Sequence, residues 1–97
     1  MIKEGTQVVC VDDTFNRESI KAIPNRPVRN SIYTVREVRY YNMHDKVGIL
    51  LEEIRNPKNV RDFWGTTQEP SFNIIRFVPL NKVLDKITIE EIQEIAI

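Results

Sequence analysis

The pattern of apolar and polar residues predicts a chain of short β-strands arranged around the apolar stretch 47–54. Ile49, Leu50 and Leu51 are consecutive, so a strand here needs cover on both of its faces. The stretch is eight residues long and Pro57 follows it closely, which favours a strand over a helix. We therefore expect a central strand with the core on one face and a lid on the other.

The stretch 31–41 predicts a second, longer strand that is bent. It is rich in Ile, Tyr, Thr and Val, the residues favoured in strands. Tyr33 and Val35 share one face, but Val38 falls on the opposite face. A β-bulge near residues 36–37 would return Val38 to the core side and bend the strand. Such a bend suits a strand shared by two sheets that cross.

The rest of the chain predicts two more strands, two long connections and a helical turn. Pro79 closes the last strand, which favours an edge position, because proline has no N–H to donate to a neighbouring strand. The prolines at 24 and 27 favour an extended loop around them. The predicted segments are a first strand at 7–11, a long loop at 14–30 with one helical turn near 17–22, a second connection at 58–70 and a last strand at 71–80.

The last part of the chain changes to a helical period. Thr88 and Glu91 match a capping box, and isoleucines follow at helical spacing. We expect a short C-terminal helix in a tail, 81–97, that packs as the lid on a domain formed by residues 1–80. The tail can dock within one chain or onto a second copy, so a monomer and a homodimer both remain open.

Four sequence motifs resemble those of a known fold. They are VVCVDD at 8–13, YTVREV at 33–38, GILLEEIRNP at 48–57 and EPSFNIIRFVPL at 69–80. Together they resemble a group of short proteins from bacteria and their phages that have a Src-homology-3-like barrel. The resemblance covers residues 7–80 and implies an all-β fold, a five-stranded Src-homology-3-like barrel with a short C-terminal α-helix.

The same resemblance bears on the class of partner. Eukaryotic domains of this fold bind polyproline helices in a groove of tyrosines and a tryptophan. The matching positions lack aromatic hydroxyl groups, which argues against binding of a proline motif; they are Cys10, Val11, Phe72, Ile74 and Phe77. Other barrels of this shape bind RNA or DNA, which requires a basic face with aromatic residues.

Charge is unevenly distributed along the chain. The whole sequence has fourteen basic and fourteen acidic residues, so net charge does not indicate an anionic partner. Residues 14–61, however, carry ten basic and five acidic residues, a net charge of +5. A basic and aromatic face around the second strand is therefore the alternative, nucleic-acid-binding hypothesis; its residues are Arg36, Arg39, Tyr40, Tyr41 and Lys46.

Catalytic and metal-binding patterns are weak. Cys10 and the only histidine, His44, are far apart in sequence, and a zinc site needs more ligands than these two. The pairs Asp12–Asp13 and Glu52–Glu53 could together hold a hard cation. We favour a structural ion pair of Glu52 or Glu53 with an arginine, for which the candidates are Arg55, Arg61 and Arg76. We therefore expect no enzyme activity, no cofactor and no bound metal.

The working hypothesis is a non-enzymatic binding module that contacts a protein partner through its long loops. Phe63 and Trp64 lie in the second connection, where an aromatic pair either anchors the loop or binds a partner. The single cysteine favours a reducing compartment. The sequence shows neither a leader nor a membrane-spanning apolar stretch, so we expect a cytoplasmic protein without a membrane partner.

Overall fold

The computed structural model describes residues 2–41, 46–61 and 64–84. Its elements are mostly short strands with a few helical turns, so the predicted all-β class is confirmed. In chain order they are β1 (Gln7–Cys10), α1 (Arg17–Ala22), β2 (Ile32–Tyr41), β3 (Lys46–Leu51), β4 (Val60–Arg61), β5 (Thr67–Gln68), β6 (Phe72–Asn73), a 3₁₀-helix (Ile74–Arg76) and β7 (Phe77–Pro79). Residues 80–84 are helical.

Five of the strands form one antiparallel sheet in the order β6-β3-β2-β1-β7. β4 and β5 pair separately as a two-stranded sheet. The predicted closed barrel is wrong for the described residues, because β6 and β7 are the two edges of an open sheet. A three-residue 3₁₀-helix joins these two short edge strands directly, which leaves little length for them to pair with each other.

The predicted bend of β2 is confirmed. The pairing of β2 with β3 shifts between Val35 and Glu37, so Arg36 is the extra residue of a bulge. Val38 consequently packs against the main core cluster, as predicted. The first residues of β2 pair with β1, whereas those from Val35 onward pair with β3. The bulge therefore lies where β2 passes from one partner strand to the other.

Both faces of β3 are covered, as the consecutive apolar residues predict. Ile49, Leu50 and Leu51 are at most 1% exposed. Ile49 and Leu51 belong to the main core cluster, whereas Leu50 is buried outside it. The strand ends at Leu51 rather than at the predicted Ile54, because residues 52 and 53 form a turn. β3 is an inner strand, but the middle of the sheet is β2.

The long loop after β1 contains the predicted helical turn, α1. Asn16 caps it by accepting a hydrogen bond from the amide of Ser19 at 2.7 Å. The loop is then tied to the connection after β3 by the side-chain amide of Asn56. Asn25 N donates to Asn56 Oδ1 at 2.9 Å, and Asn56 Nδ2 donates to Asn25 O at 2.8 Å. Asn56 is therefore a buried polar clamp between the two long connections.

The connection between β3 and β6 differs from the single long loop predicted at 58–70. It contains the β4–β5 pair, in which Val60 pairs with Gln68 and Arg61 pairs with Thr67. Strands of two residues carry too little alternation to be recognised in a sequence. Residues 62–63, between these strands, lie outside the described chain.

The predicted capping box at Thr88 and Glu91, and the lid that it begins, lie outside the described residues. The described chain ends in the helical residues 80–84, directly after the edge strand β7. Within the described residues no helix has both the length and the hydropathy needed to cross a membrane.

Cys10 is fully buried in the core. Burial raises the pKa of its thiol above the ordinary value, so the thiol stays protonated at neutral pH. We expect a thiol reagent at neutral pH to label the native protein on the order of 100-fold more slowly than the protein in urea, because labelling requires local opening. The absorbance of the released chromophore measures the labelling rate. Equal rates for the native protein and the protein in urea would show that Cys10 is accessible.

Candidate partner-binding cleft

A cleft of about 620 Å³ lies between the five-stranded sheet and the β4–β5 pair. Its lining on the side of the sheet includes Arg39 and Tyr41 of β2 and Lys46 of β3. On the side of the β4–β5 pair, which we call the hairpin, it includes Arg61 of β4. Residues 69–71, which lead into β6, complete its lining. We call this site the sheet–hairpin cleft.

Two strand residues and a residue that leads into β6 form a tightly packed part of the cleft lining. The hydroxyl of Tyr41 lies 2.6 Å from Ser71 Oγ. Gly48 lies between them: an added Cβ would overlap Ser71 Oγ and lie 3.0 Å from Tyr41 Cε2. Only glycine therefore allows this approach of Tyr41 to Ser71. A glycine inside a predicted strand is a sequence signal for such an approach, but the partner residues could not be identified from it.

A partly buried ion pair holds the connection between β5 and β6 against the sheet. Arg36 Nη2 lies 2.8 Å from Glu69 Oε2, and the Glu69 side chain is only 9% exposed. Arg36 also donates to the carbonyl oxygens of Leu51 and Ile54, at 3.1 and 3.3 Å. The bulge in β2 thus presents an arginine that joins three segments of the chain. Arg36 stabilises the cleft without lining it.

Arg39 is the second arginine that holds this connection. Its Nε donates to Glu37 Oε2 at 2.7 Å, and its Nη1 donates to the carbonyl oxygen of Glu69. The two arginines therefore bind Glu69 in different ways, Arg36 through the carboxylate and Arg39 through the backbone. This fixes the wall of the cleft at residues 69–71.

The remaining cations of the cleft have no acidic partner in the part of the chain that the structure describes. Among the described residues, the side chains of Lys46 and Arg61 make no hydrogen bond or ion pair. The one carboxylate in the lining, Glu69, is paired with Arg36. Unpaired cations on the walls of a cleft focus a positive potential there. The sheet–hairpin cleft is therefore suited to an anionic group.

The predicted partner-binding residues divide among several places. Arg39, Tyr41 and Lys46 come together in the cleft. Tyr40 alternates to the other side of β2, where it is 71% exposed and lines a small surface cavity with Ile2 and Val38. Trp64 follows β4 and is 84% exposed. Arg36 forms the ion pair with Glu69 and does not line the cleft. Phe63 lies outside the described residues.

The carboxylates after β3 have local partners. Glu52 Oε2 lies 3.4 Å from Arg55 Nη2, and both side chains are mostly exposed. Both carboxylate oxygens of Glu53 accept from the amide of Thr34, at 2.8 and 3.0 Å. Partial burial is the largest single influence and acts to raise the pKa of Glu53, but the hydrogen bonds from Thr34 and from its own backbone, together with the charge of Arg55, lower the pKa overall. Glu53 therefore remains a carboxylate at neutral pH.

Arg76 pairs with Asp12, which belongs to the other pair of adjacent carboxylates, Asp12–Asp13. Its Nη1 lies 3.5 Å from Asp12 Oδ1 and donates to the carbonyl oxygen of Thr14 at 2.7 Å. Its guanidinium also lies 3.9 Å from the centre of the Phe15 ring. Within the part of the chain that the structure describes, no three His, Cys, Asp or Glu side chains group as metal ligands. His44 lies outside that part.

A second cleft, of about 880 Å³, lies between the two long connections. Its polar groups are used within the protein. The hydroxyl of Tyr33 accepts from the amide of Val28 at 2.8 Å, and Asp13 Oδ2 accepts from the amide of Arg29 at 3.1 Å. Asn25, also in its lining, bonds to Asn56. These bonds stabilise the loops and leave fewer groups for a ligand than the sheet–hairpin cleft has.

Comparisons of the chain with protein-family models, with curated proteins and with solved structures found no match. The residues of the cleft itself are therefore the basis for inferring a function.

Proposed function

We propose that this chain is a non-enzymatic binding module with a Src-homology-3-like topology, and that it binds an acidic segment of a protein partner in the sheet–hairpin cleft. The observation that carries the proposal is that Lys46 and Arg61, two cations without a partner among the described residues, line one cleft together with Tyr41. One wall of that cleft is the β4–β5 pair in a long connection, in keeping with recognition through long loops.

The order of the elements supports the topological part of the proposal. The order is a first strand, a long loop, a bent strand shared by two partners, a third strand, a connection that contains the β4–β5 pair, a short strand, a 3₁₀-helix and a closing strand. Phe72 of β6 and Phe77 of β7 pack edge to face, with ring centres 6.5 Å apart. The two edges of the open sheet therefore approach each other without pairing.

The composition of the cleft favours a protein partner over nucleic acid. Tyrosine, tryptophan and arginine are the residues enriched at energetically important positions of protein interfaces. Tyr41 and Arg61 line the cleft, and the exposed Trp64 follows β4. Nucleic-acid binding draws much of its affinity from cations that contact phosphates, about 6–10 of them in a strongly salt-dependent complex. The cleft lining has three cations, and the chain has no net positive charge.

A synthetic peptide that alternates acidic and aliphatic residues is the probe for this function. We expect micromolar binding by fluorescence anisotropy, and a loss of about tenfold or more in affinity on Lys46→Ala with Arg61→Ala, because both cations face the ligand. Arg17→Ala with Lys21→Ala is the matched control, since it removes the same charge from the exposed helix α1. This control should bind normally.

Two outcomes would contradict the proposal. The first is equal loss of binding in the cleft variant and the helix variant, which would show that only net charge matters. The second is tighter binding of a labelled oligothymidine, with an affinity that falls steeply as salt rises. That result would make the basic and aromatic face a nucleic-acid site instead.

A further inference from the structure

We infer that the partner segment binds as an added β-strand along the open edge of β3 at Lys46 and Val47. This inference rests on the proposed function, because it takes the same acidic segment as its ligand and specifies how the segment binds. Strand addition gives affinity through main-chain hydrogen bonds and specificity through alternate side chains. The edge that it needs lies in the lining of the sheet–hairpin cleft.

Within the described ranges this edge is open, because β6 is shorter than β3. β6 pairs with β3 only at Gly48 and Ile49, whose partners are Asn73 and Phe72. In the same register the partners of Val47 and Lys46 would be residues 74 and 75, but these belong to the 3₁₀-helix. The chain therefore leaves the strand conformation where two more pairs would have formed.

The open positions are fixed in strand conformation from the other side. Lys46 pairs with Tyr41 and Val47 pairs with Tyr40, both in β2. Successive residues of a strand direct their N–H and C=O groups to opposite edges, so one of Lys46 and Val47 presents these groups to the open edge. Among the described residues, no backbone group outside β2 bonds to either of them. A ligand strand would meet a preformed donor and acceptor.

The charges beside the edge identify the ligand strand as acidic. Lys46 carries its charge at the edge itself, and Arg61 carries another across the cleft. A lysine at a sheet edge disfavours pairing with a second copy of the same edge, since like charges would then meet. Carboxylates on a ligand strand would instead pair with both cations. The cleft thus favours an acidic extended segment over a second copy of the same edge as the strand that pairs with β3.

Amide hydrogen exchange with the bound acidic–aliphatic peptide tests this mode of binding. We expect the amide of Lys46 or of Val47 to gain protection of on the order of tenfold or more, because a new strand hydrogen bond must open before exchange. The amides of Phe77 and Val78, in the other edge strand, are the control and should not change. Backbone N-methylation of the peptide should abolish binding when the methyl group is at every second residue, whose N–H faces the edge, and should be tolerated at the residues between them.

The outcomes separate this inference from the proposed function. A peptide that binds with the expected loss in the Lys46→Ala, Arg61→Ala variant, but protects neither amide and tolerates every N-methyl group, would overturn strand addition alone. The ligand would then be held by its side chains. Failure of the acidic peptide to bind at all would overturn both.

Discussion

Arg36→Leu is expected to lower the free energy of unfolding by about 2–4 kcal/mol, a value between that of exposed and fully buried ion pairs. The change leaves the carboxylate of Glu69, whose side chain is 9% exposed, without its partner 2.8 Å away. It also removes the donors to the carbonyl oxygens of Leu51 and Ile54. Urea unfolding followed by circular dichroism measures the effect.

Arg55→Leu is the matched control for this prediction. Arg55 also donates to Leu51 O, at 2.9 Å, and forms an ion pair with Glu52, but that pair is mostly exposed. We expect a loss of about 1 kcal/mol or less. In addition, Arg36→Leu combined with Glu69→Leu should cost less than the sum of the single changes, because no buried charge is left unpaired. Equal effects of Arg36→Leu and Arg55→Leu would contradict the structural role of Arg36.

Gly48→Ala is expected to cost about 1–3 kcal/mol, the usual range for an overpacked position. The added methyl group would overlap Ser71 Oγ and press on the ring of Tyr41. Either β6 moves away from β3 or the Tyr41–Ser71 hydrogen bond breaks. The melting temperature and the affinity for the peptide should therefore both fall, since Tyr41 and Ser71 line the cleft.

A second substitution tests the cause. Ser71→Gly removes the side-chain atoms that the methyl group added at position 48 would meet, so combining it with Gly48→Ala should restore most of the lost stability. Ser71→Gly alone should be mildly destabilising, because glycine weakens an extended segment. If the double variant lost as much stability as the two single variants together, overlap with Ser71 would not explain why position 48 requires glycine.

Local sequence pattern predicted the elements that depend on neighbouring residues. The mismatch of Val38 with Tyr33 and Val35 predicted the bulge in β2, because a strand has a period of two. The helical turn Arg17–Ala22 was also predicted. The open sheet could not be predicted, since the relation of β6 to β7 depends on distant pairings.

The composition of the cleft was only partly predictable. The period of two separates Tyr40 from Arg39 and Tyr41, and the structure accordingly has Tyr40 on the other side of β2. The prediction of one basic and aromatic face for all three was therefore wrong for Tyr40. The pairing of Arg36 with Glu69 joins residues 33 positions apart, and no local pattern indicates such a contact. Arg61 reaches the cleft through the β4–β5 pair, which the sequence did not reveal.

The most direct test of the sheet–hairpin cleft as the partner site is a two-dimensional NMR titration of the full chain with the acidic–aliphatic peptide. We expect the largest saturable amide shifts at Lys46, Gly48, Arg61 and Ser71, which line the cleft. The largest shifts at Asn25, Val28 and Ile54, in the lining of the cleft between the long loops, would contradict this assignment and make that second cleft the binding site.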